Sequence, residues 1–336
     1  MIQVSGLEKT FGEKTVINNL SFSLVSGEIL GFLGPNGAGK STTMKILTGF
    51  LKPSAGSVSV FGHDVLADPV AAQKQMGYLP EGAPAYEEMT VLAFLEFIAE
   101  IRGFDAQQRR DRITDVVRKM SLQDVLTQKI ETLSKGFKRR VGLAQAIIHD
   151  PAVLILDEPT DGLDPNQKQQ VRALIQSLSK DKIVIISTHI LEEVTAVCNR
   201  VIIISEGKMV ADCSPSALEQ ESRYHGAVTI RLEEAHREAV LASIRGLAEV
   251  DSVDVSSVLV GTCDLTVFGK QGVELYPYLS RFLTRQELVP LGMFQEKGRL
   301  DDVFRRFTVS EGVVGTDLIN DAAATERSAA EKRQAL

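Results

Sequence analysis

From the first residues the chain alternates between apolar and polar positions, as in Thr15-Val16-Ile17 and Leu20-Ser21-Phe22-Ser23-Leu24. A period of two predicts strands that bury one face, here antiparallel strands over residues 1 to about 28. The pattern changes at Ile29-Leu30-Gly31-Phe32-Leu33, which is apolar at successive positions. Such a run suits a strand covered on both faces. Ser41 to Leu47 has the composition of a helix, and the stretch from about 86 to 148 is helix-rich. Val153-Leu154-Ile155-Leu156 and Ile183-Val184-Ile185-Ile186-Ser187 are short, β-branched and separated by a helical segment, as buried parallel strands are. Val201 to Ser205 predicts one more strand. Residues 1–220 therefore read as one α/β domain, with an antiparallel β subdomain, a parallel-sheet core and a helical insertion at about 86–148.

A different pattern follows. Ala227 to Leu232 reads as a strand, and Glu233 to Leu247 as a helix with Val240, Leu241, Ile244 and Leu247 on one face. Two strands near 249–256 and 258–268, a helix at about 273–286 and a strand from Leu288 to Phe294 complete a β-α-β-β-α-β order. That is the split βαβ, or ferredoxin-like, arrangement. It predicts a small α+β accessory domain over 225–310. The remainder, 311–336, is polar and Ala-rich and reads as a flexible tail.

A chain of 336 residues has room for two such domains, and 44% apolar with 24% charged residues is ordinary for a globular protein. The net charge is −7 and there is no long basic run, so the electrostatic footprint of a nucleic-acid binder is missing. No apolar run approaches the ~18 residues of a membrane helix, and Met1-Ile2-Gln3-Val4 starts without a charged-then-apolar leader. A cytoplasmic protein is expected. Cys198, Cys213 and Cys263 are widely spaced and fit reduced thiols better than a metal pattern.

The chemistry begins at Gly34-Pro35-Asn36-Gly37-Ala38-Gly39-Lys40-Ser41. A glycine, four residues and then Gly-Lys-Ser, set between a strand and a helix, make a phosphate-binding P-loop. The glycines let successive N–H groups of residues such as Asn36, Gly37, Ala38 and Gly39 converge on a phosphate, and the following helix adds its positive end. Lys40 would reach the β- and γ-phosphates, the Ser41 hydroxyl would ligate Mg²⁺, and Thr42 is placed at the α-phosphate. ATP with Mg²⁺ is the cofactor this pattern predicts. Further along, the strand Val153 to Leu156 ends on Asp157-Glu158. Asp157 can hold Mg²⁺ through water, and Glu158 can polarise the water that attacks the γ-phosphate.

With these motifs in place, residues 1 to about 220 resemble the ATP-binding subunits of ABC transporters. Leu133-Ser134-Lys135-Gly136-Phe137 occupies the place of the family's signature motif, Asp161-Gly162-Leu163-Asp164 matches its D-loop, and His189 follows a strand at the switch-histidine position. Phe11 sits where the family stacks an aromatic ring on adenine. The resemblance implies a P-loop ABC-type ATPase that pairs head to tail with a second copy of itself. In that pair the P-loop of one subunit and Ser134, Lys135 and Gly136 of the other, with Asp161 and Asp164, enclose each ATP. It also implies a polytopic membrane permease as partner, with room for a further periplasmic or membrane component. The subunit would then sit peripherally on the inner face of the cell membrane.

Two departures are specific. The signature reads Lys135-Gly136 followed by Phe137 and the basic run Lys138-Arg139-Arg140. In Gly77-Tyr78-Leu79-Pro80-Glu81, Glu81 stands at the Q-loop glutamine, where a carboxylate can still ligate Mg²⁺. Both features resemble the ABC-2 export branch, including ATPases of gliding-motility, copper-site maturation and drug- or polysaccharide-export systems. Leu300-Asp301-Asp302-Val303-Phe304 resembles the short helix that closes the accessory region of such subunits. The segment Ala83 to Phe97 would line the permease cleft, although its Tyr86, Met89, Phe94 and Phe97 are equally compatible with the core of the insertion. Rival readings are a mechanochemical or regulatory ABC pair that moves no substrate, and a soluble ABC ATPase acting on ribosomes or DNA. A single P-loop and the lack of a sustained heptad run disfavour the last.

Overall fold

The computed structural model describes residues 1–83, 85–259, 261–270 and 272–308, so the tail expected at 311–336 lies outside the described residues. The chain opens with β1 (Ile2–Phe11), β2 (Lys14–Leu24) and β3 (Ile29–Leu33), then α1 (Lys40–Leu47), β4 (Ala55–Val60), β5 (His63–Asp64), α2 (Pro69–Lys74) and β6 (Met76–Leu79). The helix-rich stretch supplies α3 (Val91–Ile101), α4 (Ala106–Met120) and α5 (Lys135–Ile147). The core resumes with β7 (Val153–Asp157), α6 (Pro165–Leu178), β8 (Ile183–Ser187), α7 (Leu191–Val197), β9 (Arg200–Ser205), β10 (Lys208–Cys213) and α8 (Pro215–Gln220).

One sheet, ordered β2-β1-β4-β5, is antiparallel, as the early alternation predicts. A six-stranded sheet, ordered β10-β9-β3-β8-β7-β6, is parallel apart from β10 at its edge. Its central strands β3, β7 and β8 are buried at every position because both faces are covered. Leu30, Phe32, Val153, Ile155, Ile183 and Ile185 enter the core shared with α1 and the antiparallel sheet. Their neighbours Ile29, Leu33, Leu154, Leu156, Val184 and Ile186 enter the core shared with α3 to α7. Burying one such side chain stabilises by ~1.5–3 kcal/mol. The pairs Phe32↔Ser187, Asp157↔Ser187 and Leu79↔Leu156 hold the carboxyl ends of β3, β8, β7 and β6 at one level. Ligands of parallel sheets bind beyond those ends.

A third sheet is built from β11 (Val228–Glu233), β12 (Val250–Leu259), β13 (Thr262–Gly269) and β14 (Gly292–Gln295), with α9 (Arg237–Arg245) and α10 (Leu275–Arg285) between them. Its order, β12-β13-β11-β14, is that of a split βαβ unit. The predicted helix at 233–247 is shorter because its first turn, Glu234–His236, is a 3₁₀ segment. Val240, Ile244, Leu275, Leu279 and Leu283 fill one side of this sheet.

The last described helix, α11 (Leu300–Thr308), forms where expected but packs elsewhere. Its Leu300 and Val303 are buried in the same cluster as α3 to α7, and Phe304 and Phe307 lie against it. The spacing 300, 303, 304, 307 makes an apolar stripe. With α9 and α10 already covering the third sheet, that stripe is satisfied on the body built from α3 to α7 instead. The chain thus leaves and re-enters that body through two adjacent segments. Glu296 N donates to Ala227 O at 2.8 Å, Gly226 N to Glu296 O at 3.1 Å, and Ser222 Oγ to Asp302 Oδ2 at 3.0 Å. The Arg299 guanidinium lies 3.8 Å from the Tyr224 ring centroid. All three cysteines are free, with Cys198 and Cys263 buried.

Candidate nucleotide site

The loop after β3 is shaped by glycine. Gly37 and Gly39 have φ of +82° and +107°, in the left-handed region that costs other residues energy. A Cβ on Gly39 would also lie 2.8 Å from the Val16 carbonyl oxygen. Helix α1 starts directly after this turn, with no side chain capping its first N–H groups. Those donors face an open cleft of about 370 Å³ lined by Asn36, Gly37, Gly39, Lys40, Ser41, Thr42, Glu81 and Glu158. Ala38 is buried behind it. Lys40 is 7% exposed, and its Nζ donates to Gly34 O at 2.6 Å and Pro35 O at 3.1 Å. Burial pulls the Lys40 pKa below its ordinary value, while Glu158, Asp157 and Glu81 oppose that shift. A phosphate arriving here meets a poorly solvated ammonium.

Opposite the loop, Glu158 follows the buried Asp157 at the end of β7. His189 Nδ1 lies 2.9 Å from Glu158 Oε1, and Thr188 Oγ1 donates to Glu158 Oε2 at 3.3 Å. Thr188 Oγ1 also lies 3.2 Å from Glu193 Oε2, and Thr160 Oγ1 donates to Glu193 Oε1. Burial raises the pKa of Glu193, against the Thr188 hydrogen bond and the charges of Lys168 and Arg172. The P-loop, Glu81, Glu158 and His189 are therefore brought together in one place.

The signature and D-loop residues stand together on another face. Ser134 caps α5 by accepting from Phe137 N at 3.3 Å. A Cβ on Gly162 would meet the Lys135 stem at 3.5 Å, and one on Gly136 would meet Gln167 Oε1 at 2.6 Å. Asp161 and Asp164 are exposed, and Asp164 caps α6 by accepting from Gln167 N at 2.9 Å. None of these residues lines the P-loop cleft. Phe11 is 49% exposed, with Lys9 Nζ 4.8 Å from its ring centroid.

Sequence reasoning missed Lys14 and Val16, which line the cleft from β2, and the carboxylate Glu193. Periodicity carries no signal for the first two. Glu193 had one, an acid at a buried position of α7 four residues after His189. In the expected permease cleft the four aromatic and apolar residues divide. Phe94 is buried, whereas Tyr86 is exposed and stands edge-on to Phe97 at 5.4 Å. Both Phe94 and Tyr86 nonetheless line a groove of about 490 Å³, with Tyr78, Pro80, Ala85, Ile98, Arg102 and Gln145. Burial, with Asp157 and Glu81, pushes the Tyr78 phenol up to about 12.

A P-loop at the centre of a parallel sheet, faced by a strand-end carboxylate pair, defines a P-loop ATPase. The family model described as ABC transporter matches residues 17–161. The linearmycin resistance ATP-binding protein of Bacillus subtilis is 35% identical over 257 residues, covering 76% of this chain and 82% of that protein. Nod factor export ATP-binding protein I of Rhizobium sp. is 32% identical over 311 residues, covering 92% of this chain and 97% of that one. A solved ATP-binding subunit of an ABC transporter matches with a TM-score of 0.62 at 28% identity, covering 66% of this chain and 92% of its own. This chain belongs to the ABC transporter ATP-binding proteins, and it is an ATPase.

Proposed function

We propose that this chain hydrolyses ATP as one half of a head-to-tail homodimer and drives a separate polytopic membrane permease, in the direction of export. The observation that carries the export reading is the match to the Nod factor export protein, which runs through the third sheet as well as the ATPase body. The dimer reading is supported by the separation of the two phosphate-facing surfaces. The cleft holds the P-loop, while Ser134 and Gly136 stand on a different face of the same chain.

Within the cleft, the P-loop N–H groups and Lys40 hold the phosphates. Glu158 accepts the proton of the attacking water, and His189, 2.9 Å from it, orients that carboxylate. Ser41, Asp157 and Glu81 would hold Mg²⁺. They offer one hydroxyl and two carboxylates, all hard oxygen donors, and among the described residues no cluster of three or more His, Cys, Asp or Glu forms a cage. A few protein oxygens completed by phosphate and water are what Mg²⁺ prefers. When bound, the ion would neutralise phosphate charge.

No helix among the described residues is long and apolar enough to cross a membrane. A peripheral position on the cytoplasmic face, with the permease seated in the Tyr86 groove, follows from the proposal. The test is affinity purification of tagged Glu158→Gln protein from detergent-solubilised membranes with ATP present. A polytopic membrane protein in equal stoichiometry is expected. Recovery of soluble partners alone would move the chain to the ABC ATPases that serve no permease.

A further inference from the structure

Glu158 stands in a backbone conformation that residues with a side chain avoid. Its φ is +51°, and a non-glycine residue held there costs ~1–3 kcal/mol and persists only where its surroundings hold it. Part of the hold is the sheet, since Glu158 N donates to Ser187 O at 2.8 Å on β8. A second part is the turn itself, where Asp161 N donates to Glu158 O at 3.2 Å, and a third comes from a side chain that neither hydrolysis nor nucleotide binding uses directly. Arg139, on α5, is 4% exposed. Its Nη2 donates to Asp157 O at 2.9 Å and its Nε to Pro159 O at 3.3 Å, the carbonyls immediately before and after Glu158. Its Nη1 reaches Pro80 O at 3.4 Å, immediately before Glu81.

A planar fork of donors can span three carbonyls on two loops, whereas an ammonium at the end of a flexible stem cannot hold that geometry. A buried cation is costly to desolvate. Here it faces Asp161, Asp157, Glu158 and Glu81, all of which favour its charged form against burial. Among the described residues every hydrogen bond of the guanidinium goes to a backbone carbonyl, so it leaves the Glu158 carboxylate free for the cleft, Thr188 and His189.

We infer that Arg139 is a positioning residue for hydrolysis: it clamps the left-handed turn that aims the Glu158 carboxylate and ties the Glu81 loop to the same point. The inference rests on Glu158 as general base. It adds a link between the two faces of the chain, because Arg139 belongs to the helix that begins at the signature residues. A displacement of α5 at Ser134 to Gly136 moves the clamp on the chain's own Glu158.

The test uses the full chain with Arg139→Gln and Arg139→Lys, each alone and with Glu158→Gln, assayed for steady-state hydrolysis and for binding of a fluorescent ATP analogue. Arg139→Gln is expected to lower kcat by ~10²-fold, the size of effect that a misplaced catalytic group produces. KM and analogue affinity should change by less than ~3-fold, as for an interaction made only in the transition state. With Glu158→Gln already present, the same substitution should lower the residual rate by no more than ~2-fold, since coupled groups are non-additive. Arg139→Lys, which keeps the charge without the fork, should stay within ~3-fold of Arg139→Gln. Unchanged kcat, equal fractional losses in both backgrounds, loss of analogue binding in step with kcat, or full recovery by lysine would each overturn the inference. Wild-type turnover in Glu158→Gln alone would instead overturn the general-base reading, and it is seen before any Arg139 variant is made.

Discussion

Two helices of this chain carry the residues proposed to face phosphate at their N-termini, and they begin differently. Helix α1 starts inside a cleft, after a glycine at φ +107°, with no side chain capping its N–H groups and with the buried Lys40 in its first turn. Helix α5 starts on an open face, where the Ser134 hydroxyl already accepts from Phe137 N. The first start keeps its donors for a ligand and sets them in a cleft beside the buried Lys40, so it can meet a phosphate without another surface. The second spends a cap on its own stability, and its first residues do not line that cleft. It can act on phosphate only when another surface supplies the rest of the site. One start inside a cleft and one on an open face is the division of labour that the proposed head-to-tail pair requires.

The largest effect expected from this comparison is on the cleft side. Glu158→Gln removes the base and leaves the P-loop intact, so kcat should fall by ~10²–10⁴ while ATP binding stays near that of the wild type. Single-turnover hydrolysis beside equilibrium nucleotide binding separates the two. Wild-type turnover would mean that the base lies elsewhere in the cleft.

On the open face the complementary change is Gly136→Asp. The atoms nearest a Cβ on Gly136 belong to the movable end of Gln167, so the fold should accept the side chain. In the proposed pair the added carboxylate would stand beside the partner's nucleotide, and like charges brought together cost several kcal/mol. Hydrolysis should fall by ~10²-fold or more, with ATP binding to the isolated cleft unchanged. Reduced cleft binding in a dilute monomer would break the distinction between the two faces.

How much of this was legible in the sequence depends on what each residue's neighbours supply. The P-loop was legible because the ligand's geometry dictates its letters, and the central strands because Leu30 and Phe32 serve one core while Ile29 and Leu33 serve another. The split βαβ order followed from alternation. Arg139 was hidden within Lys138-Arg139-Arg140, which reads as a solvated basic face. Only its helical phase with the buried Leu143 and Ala146 marks it as inward. The docking of α11 was hidden for another reason. Its stripe predicts burial, but periodicity does not say against which body, and α9 and α10 had already filled the third sheet. What the chain cannot spell locally is which loops a buried side chain joins, since Pro80, Asp157 and Arg139 meet only once the sheet is assembled.

The smallest expected effect concerns the rim of the cleft and tests whether the complete surface extends to the base. Phe11 ends β1, pairs in register with Lys14 and is half exposed, which is too open for a core residue and right for a platform. Lys9 already lies over the ring, and its Nζ is anchored to Lys52 O at 2.8 Å, so the aromatic plane is held before nucleotide arrives. Stacking an adenine on such a ring contributes ~1–3 kcal/mol. Phe11→Ala should therefore weaken ATP binding by ~5- to 100-fold with kcat little changed, because the ring is remote from the transferred phosphate. Phe11→Trp should restore affinity. Since every base has a π face, GTP affinity should fall in parallel, and isothermal titration of both nucleotides reads this directly. Unchanged affinity in Phe11→Ala would confine the nucleotide site to the phosphates and leave the ring to serve only the strand that carries it.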